Sequence, residues 1–320
     1  MNKLFLRASL SPLVAPLLVS ALFLAATLAL GTPISAYGQG SAAVDAATQG
    51  HGPQDHVLPS MFREGDVFIK VSVNGHPAVW MNLDTGTTDS VIDSEYAKTI
   101  GLRLIQKSEG IEGFGAMKTP TFTTDTVRLK VGHEPEGEIF FESIRLGGMV
   151  GPDGVQLAGL LGHSFLDKHV VVIDYKKQEV YFEETSQPND PRDVAITLIE
   201  GVPCVTLKMA GRPVRSLIDS GGSYGAIITP AQAKELGIEG LMDNAKLART
   251  IGHGGDQNVV VGKAPRFSIG ELVVDNLSAA YTDFGTATNT IGVGMSLGKV
   301  FLRTNKVTLN YKANTARFEP

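Results

Sequence analysis

The chain repeats itself, and the repeat narrows the folds open to it. "LLGHSFLDKHVVVIDYKKQEVYF" (160–182) aligns with "SLGKVFLRTNKVTLNYKANTARF" (296–318) at a constant offset of 136 residues. Leu161/Leu297, Gly162/Gly298, Phe165/Phe301, Leu166/Leu302, Tyr175/Tyr311, Lys176/Lys312 and Phe182/Phe318 are identical pairs. Upstream, "VNGHPAVWMNLDTG" parallels "MAGRPVRSLIDSG", with Gly75 matching Gly211 and Pro77 matching Pro213. After a one-residue gap, Asp84 meets Asp219 at an offset of 135. This period is far longer than a solenoid unit, so the expectation is two similar lobes, not an array.

Local patterns agree between the halves. "DSEYAKTIGL" reads as a short helix with Asp93 or Ser94 as N-cap and Gly101 at its end. "TPAQAKELGI" reads the same way, with Thr229 as N-cap, Pro230 at the first helical position and Gly237 as terminator. Beyond each helix come alternating segments, "TVRLKVG" and "APRFSIG", that read as strands. The fold class expected is mainly β, with two similar lobes related by a pseudo-twofold axis.

Asp84 lies among Met81, Leu83, Val91 and Ile92, so its carboxylate is expected to be half buried and in need of partners. The plainer reading is an Asx-type turn in which it accepts backbone N–H bonds. The repeat adds another. If the two Asp turns lie near the axis, Asp84 and Asp219 face each other. Two carboxylates about 3 Å apart cannot both ionise cheaply, so they share a proton. One then serves as general base toward a water and the other as general acid toward a carbonyl oxygen, with neither metal nor covalent intermediate. Gly86 and Gly221 let the backbone come close enough for an amide to bond a carboxylate. The hydroxyls of Thr85 and Ser220 can brace one turn against the other.

These segments resemble the aspartic peptidases of the pepsin/retropepsin group, in a bacterial two-lobed, single-chain form. "LDTGTTDSVI" and "LIDSGGSYGAII" resemble the family's active-site turns, and "GLLGHSFL" its hydrophobic-hydrophobic-Gly element. "GIEGFGAMKT" (110–119) and "TIGHGGDQNVVV" (250–261) resemble its Gly-rich flap hairpins. The resemblance covers roughly residues 64–320 and implies an acid-protease β-barrel in each lobe. It further implies that Asp84 and Asp219 form the catalytic dyad, supported by Thr85, Gly86, Thr87, Ser220 and Gly221. Gly113, Phe114, Gly115, His253 and Gly254 would lie near flap tips over an extended peptide. Thr87 offers a hydroxyl to the outer oxygen of Asp84. Gly222 offers none to Asp219, so Ser223 would have to supply it.

The N-terminus reads as a targeting segment. Lys3 and Arg7 precede an apolar run from Leu13 to Leu30, and Ala36 and Gly38 offer a cleavage site. Cleaved signal and retained anchor stay open, and both put the remainder outside the cytoplasm, periplasmic or secreted. The organisation expected is 1–38 signal peptide or anchor, 39–60 flexible linker, 61–187 N-terminal lobe and 188–320 C-terminal lobe, with the break near "TSQPNDP" (185–191).

A net charge of −5 without a basic stripe argues against a nucleic-acid partner. The single cysteine, Cys204, excludes an internal disulfide and reads as core filling in an alternating strand. "GVGMSLGK" (292–299) lacks phosphate-loop spacing, and "GHSFL" (162–166) has Leu166 where a nucleophile elbow needs glycine. A haloacid-type phosphatase would need an α/β sheet. The seven histidines do not cluster at metal-ligand spacing. With these set aside, the activity that the resemblance implies is a cofactor-free, metal-free aspartic endopeptidase, a monomer acting on peptide or protein substrates. Membrane contact is expected only if the N-terminal segment stays uncleaved. The alternative is a peptide-binding or scaffold protein that keeps the cleft without turnover.

Overall fold

The computed structural model describes residues 57–112, 118–183, 190–243, 245–252, 255–283 and 292–320. The targeting segment, most of the expected linker and the start of the inter-lobe break lie outside the described residues. The linker's last residues do not match the expectation of a flexible segment. Leu58 is buried and its N–H donates to the Val180 carbonyl at 2.8 Å, while Val57 bridges Tyr181. An apolar Val-Leu pair next to a sheet edge has more to gain from burial than from chain freedom.

Each half opens with a hairpin whose first strand buries a nearly continuous apolar run. In the first half, Asp66–Val73 pairs antiparallel with Val79–Leu83. In the second, Val202–Met209 pairs antiparallel with Arg212–Ile218. Asn74-Gly75 and Ala210-Gly211 turn the chain with both residues at positive φ, the twist that suits a tight hairpin. Each second strand runs into an Asp turn and then into a short strand, Val91–Asp93 or Ala226–Ile228.

Into the gap between those strands the chain returns much later. Gly159–Leu161 lies parallel to Val79–Leu83 on one side and antiparallel to Val91–Asp93 on the other. Met295–Leu297 does the same between Arg212–Ile218 and Ala226–Ile228. The strand pair on each side of this insertion leaves no room for a side chain where the returning chain crosses. A Cβ on Gly162 would sit 2.5 Å from the Asp89 carbonyl oxygen, and one on Gly298 2.4 Å from that of Tyr224. The segment resembling a phosphate loop is thus the second copy of this crossing.

The short helices form where the sequence places their caps. Ser94–Thr99 is capped by Asp93, whose Oδ1 accepts from the Glu95 and Tyr96 N–H groups. Pro230–Leu236 is capped by the Thr229 hydroxyl and ends at Gly237 in the left-handed region.

The halves are joined by a sheet of their own. Val170–Asp174 pairs antiparallel with its repeat equivalent, Lys306–Asn310, in a register centred on Val172↔Thr308. Those two residues are themselves 136 positions apart, so the pseudo-twofold axis passes through this pair. Glu179–Glu183 and Thr315–Glu319 flank the centre, and Val194–Ile199 continues the sheet into the second half. Strands assigned by sequence to the first lobe therefore hydrogen-bond across the expected boundary at 187/188. One apolar core, from Val67 through Val171 and Leu309 to Phe318, runs through both halves. The described residues thus form a mainly β molecule of two like lobes.

Gly162→Ala is expected to lower stability by roughly 3 kcal/mol, because the clash is with backbone that cannot move aside. Gly137→Ala, where the added atom meets nothing within 4 Å, should leave stability unchanged or slightly raised. Urea denaturation midpoints of the two variants check this.

Candidate active site

Each Asp turn begins where its strand is fixed from behind. The Asp84 N–H donates to the Leu161 carbonyl at 3.0 Å, and the Asp219 N–H to the Leu297 carbonyl at 2.9 Å. The returning strand thus sets where both carboxyls start. Each turn then folds onto its own aspartate: the Gly86 N–H donates to Asp84 Oδ1 at 2.9 Å, and the Gly221 N–H to Asp219 Oδ1 at 3.0 Å. The Asx-type bond expected from the local sequence is therefore present twice.

Four hydrogen bonds lock one turn to the other. The Thr85 N–H donates to Ser220 Oγ and the Ser220 N–H to Thr85 Oγ1, both at 3.0 Å. The Thr85 hydroxyl donates to the Ile218 carbonyl and the Ser220 hydroxyl to the Leu83 carbonyl, both at 2.7 Å. Each hydroxyl both gives and accepts across the seam, a use of both its functions that a buried Ser or Thr requires.

This lock brings the carboxyls together. A Cβ on Gly86 would fall 2.4 Å from Asp219 Oδ1, and one on Gly221 2.6 Å from Asp84 Oδ2. Only glycine lets each turn slide under the opposite carboxyl. Asp84 and Asp219 are both 0% exposed, and the Oδ2 of each has no hydrogen-bond partner among the described residues. Burial pushes both carboxyls above the ordinary value of 3.8, and the charge of Asp84 raises Asp219 further. Such a pair holds one proton between its free oxygens. The two carboxyls therefore titrate as a unit, one carrying the proton and the other the charge.

The outer supports differ from the sequence reading. Thr87 is buried, but its hydroxyl donates to the Asp89 carbonyl at 3.2 Å, not to the outer oxygen of Asp84. Its methyl group faces Gly162, where an added Cβ would lie 2.6 Å from it. The Ser223 hydroxyl is buried without a partner, so it does not replace the missing group on the Asp219 side. Gly113, Phe114, Gly115, His253 and Gly254 lie outside the described residues. The hairpins leading toward them are described: Leu104–Glu112 with Lys118–Thr124, and Lys246–Gly252 with Gly255–Lys263.

Other nearby groups escaped the sequence reading. Ser90 Oγ accepts from the Gly162 N–H at 3.1 Å, and Ser164 Oγ accepts from the Ser90 N–H at 2.8 Å, pinning the first turn to the returning strand. Lys299 Nζ donates to Asp66 Oδ2 at 2.7 Å across the two halves. Asn82, two residues before Asp84, is buried among apolar neighbours. A lone polar residue in "VWMNLD" was the available signal for Asn82. Nothing local links Asp66 to Lys299. Cys204 is buried in an apolar cluster, and His169 stacks on Phe182 at 4.1 Å.

Thr85→Ala removes two buried cross-seam bonds and strands their partners, which should cost about 2–4 kcal/mol; Thr85→Ser should stay within about 1 kcal/mol of wild type. Urea titration distinguishes them. The buried pair also makes stability depend on pH. A carboxyl whose folded pKa is raised binds its proton more tightly folded than unfolded. Its contribution is therefore full below about pH 4 and is lost as pH rises toward the folded value. Between about pH 4 and pH 7 the wild type should lose stability relative to Asp219→Asn, whose neutral amide cannot titrate. Thermal scans of both proteins across that range measure the difference.

Among solved structures, conglutin gamma, a basic 7S globulin from lupine seeds, is similar over 82% of this chain and 94% of its own, at 13% identity and a TM-score of 0.45. No curated protein sequence matches the chain. The family model for aspartyl proteases matches twice, at residues 69–165 and 205–298, once in each half, with one Asp turn and one returning strand in each match. Together these matches take in more than half of the chain, which belongs to the aspartyl protease family.

Proposed function

We propose that this protein is an aspartic endopeptidase that hydrolyses peptide bonds with a water activated between Asp84 and Asp219. One observation carries the reading: two fully buried carboxyls, one from each half, held together by the Thr85–Ser220 lock. A structural Asx turn needs one aspartate and its own amide, whereas two like charges buried side by side cost stability and ask for a chemical use.

The reaction follows from one shared proton. Asp84, as carboxylate, takes a proton from water while the water oxygen bonds to the scissile carbonyl carbon. Asp219 gives its proton to the carbonyl oxygen, which leaves a neutral gem-diol. In collapse, Asp84 delivers its proton to the leaving nitrogen and the C–N bond breaks. A gem-diol hydroxyl returns its proton to Asp219 as the acid forms. The pair ends as it began. Peptide would lie extended beneath the two hairpins, bonded through its backbone. Lys3, Arg7 and the apolar run that follows support a place outside the cytoplasm for the catalytic domain.

Asp84→Asn and Asp219→Asn should each lower cleavage of a fluorogenic peptide library by at least about a thousandfold while leaving the circular dichroism spectrum unchanged. The rate should fall as pH rises through the raised Asp219 value, well above 3.8, because the general acid is then lost. A statine-type analogue should inhibit. Binding of that analogue by a wild-type protein that cleaves nothing would replace this reading with the non-catalytic peptide-binding one.

A further inference from the structure

Resting on the peptidase reading, we propose that the cavity beside Asn82 is a recognition pocket for a carboxamide side chain, glutamine or asparagine, on one side of the bond that is cut.

The cavity has a volume of about 210 Å³, and its walls include Asp66, Phe68, Asn82, Leu157 and Lys299. Asn82 and Asp84 are two residues apart on one extended segment and so share a face, while Leu83 between them enters the apolar core. The pocket is therefore walled by the strand that leads into the Asp84 turn, on the face that Asp84 continues. Asn82 is 2% exposed, and its Oδ1 has no hydrogen-bond partner. Its cross-strand neighbours, Phe68 and Leu160, have no side-chain donor to give it. A buried amide left unanswered is a cost that a bound donor removes.

The internal repeat supplies a control. Strand register makes Leu217 the counterpart of Asn82: Asn82 lies opposite Phe68 and Leu160, and Leu217 lies opposite Cys204 and Ser296. Outside the one-residue gap, at the offset of 136, Asp66 corresponds to Val202, Phe68 to Cys204, Leu157 to Val293 and Lys299 to His163. Val202, Cys204, Leu217 and Val293 are buried together in one apolar cluster. The same backbone position is thus filled by hydrocarbon on one flank of the carboxyl pair and lined by an amide and an ion pair on the other. The fold does not require an amide or an acid there, since Leu217 and Val202 stand in the second half where Asn82 and Asp66 stand in the first.

The chemistry of the pocket selects the ligand. Lys299 already answers Asp66 at 2.7 Å, so the wall calls for no ligand charge. A carboxylate would set acceptor against acceptor at Asn82 Oδ1 and lie beside Asp66. Arg63 and Lys299 are balanced by Glu64 and Asp66, so the wall has no net charge to favour an ammonium. A hydroxyl satisfies half of an amide. A carboxamide donates N–H to Oδ1 and accepts from the Asn82 amide nitrogen, so both ends are paired. A water molecule alone could also bond Oδ1, and the experiment separates the two.

Isothermal titration of the purified protein with paired statine-type peptide analogues tests the proposal. The pairs carry glutamine or leucine, similar in size, on each side of the statine hydroxyl in turn. On one side the glutamine analogue should bind about tenfold more tightly than its leucine twin. Asn82→Leu, which copies Leu217, should erase or reverse that ratio. Equal binding of both twins on both sides overturns the proposal, as does a ratio that Asn82→Leu leaves unchanged or a protein that binds none of the analogues. The wild-type ratio stands even if the variant fails to fold. Binding needs no turnover, so glutamine selectivity without cleavage would refute the peptidase reading and leave the pocket intact.

Discussion

The contact between the Thr85 and Ser220 turns is the interaction on which the site depends. Each turn takes a donor and an acceptor from the other, so neither can hold its shape alone. Two carboxyls without solvent exposure oppose this contact through desolvation and mutual repulsion. What offsets them is distributed: the four cross-seam bonds, one amide bond from each glycine, and the antiparallel pairing about Val172↔Thr308 below. The ring of paired donors and acceptors is complete except at the two Oδ2 atoms. The Thr85 and Ser220 hydroxyls are thus fully used in the lock, while one oxygen of each carboxyl is left without a partner.

Symmetry explains why the seam is built from equivalent residues. A strand that pairs antiparallel with its own copy puts residue i opposite the copy of its mirror position, so any residue near the axis meets its counterpart. Asp meets Asp and a hydroxyl residue meets a hydroxyl residue for this reason, and no evolved coincidence of unrelated positions is needed.

Much of this was legible in the sequence because it depends on spacing. The constant offset located the two halves, both Asp turns and both returning strands before any coordinates, and the caps at Asp93 and Thr229 follow from short-range chemistry. Rotamer and partner choice were not legible. Thr87 has the right hydroxyl in the right turn, yet its methyl group faces Gly162 and its oxygen bonds the Asp89 carbonyl. Asp66 and Lys299 are 233 positions apart, and no local pattern joins them. "VVVID" reads as a strand, but nothing in it tells that its neighbour is the other half, which is why a boundary drawn at 187/188 cuts through a sheet. The Leu58 anchor was missed for the opposite reason: two apolar residues at the end of a polar, Gly-rich stretch are a weak signal until the edge they cover is known.

The same symmetry says where the halves are free to differ. At the axis a change in one residue is felt by its counterpart, so both copies are constrained together. One strand away, Asn82 and Leu217 never meet, and neither do Asp66 and Val202 or Phe68 and Cys204. Each flank can then be shaped separately around a common pair of carboxyls. A duplicated fold gains from this what a symmetric dimer of identical chains cannot have. The chemistry stays at a symmetric centre, while the walls on the two sides of a bound chain take different residues. A peptide has direction, and a cleft with unlike flanks can read that direction; one with identical flanks cannot.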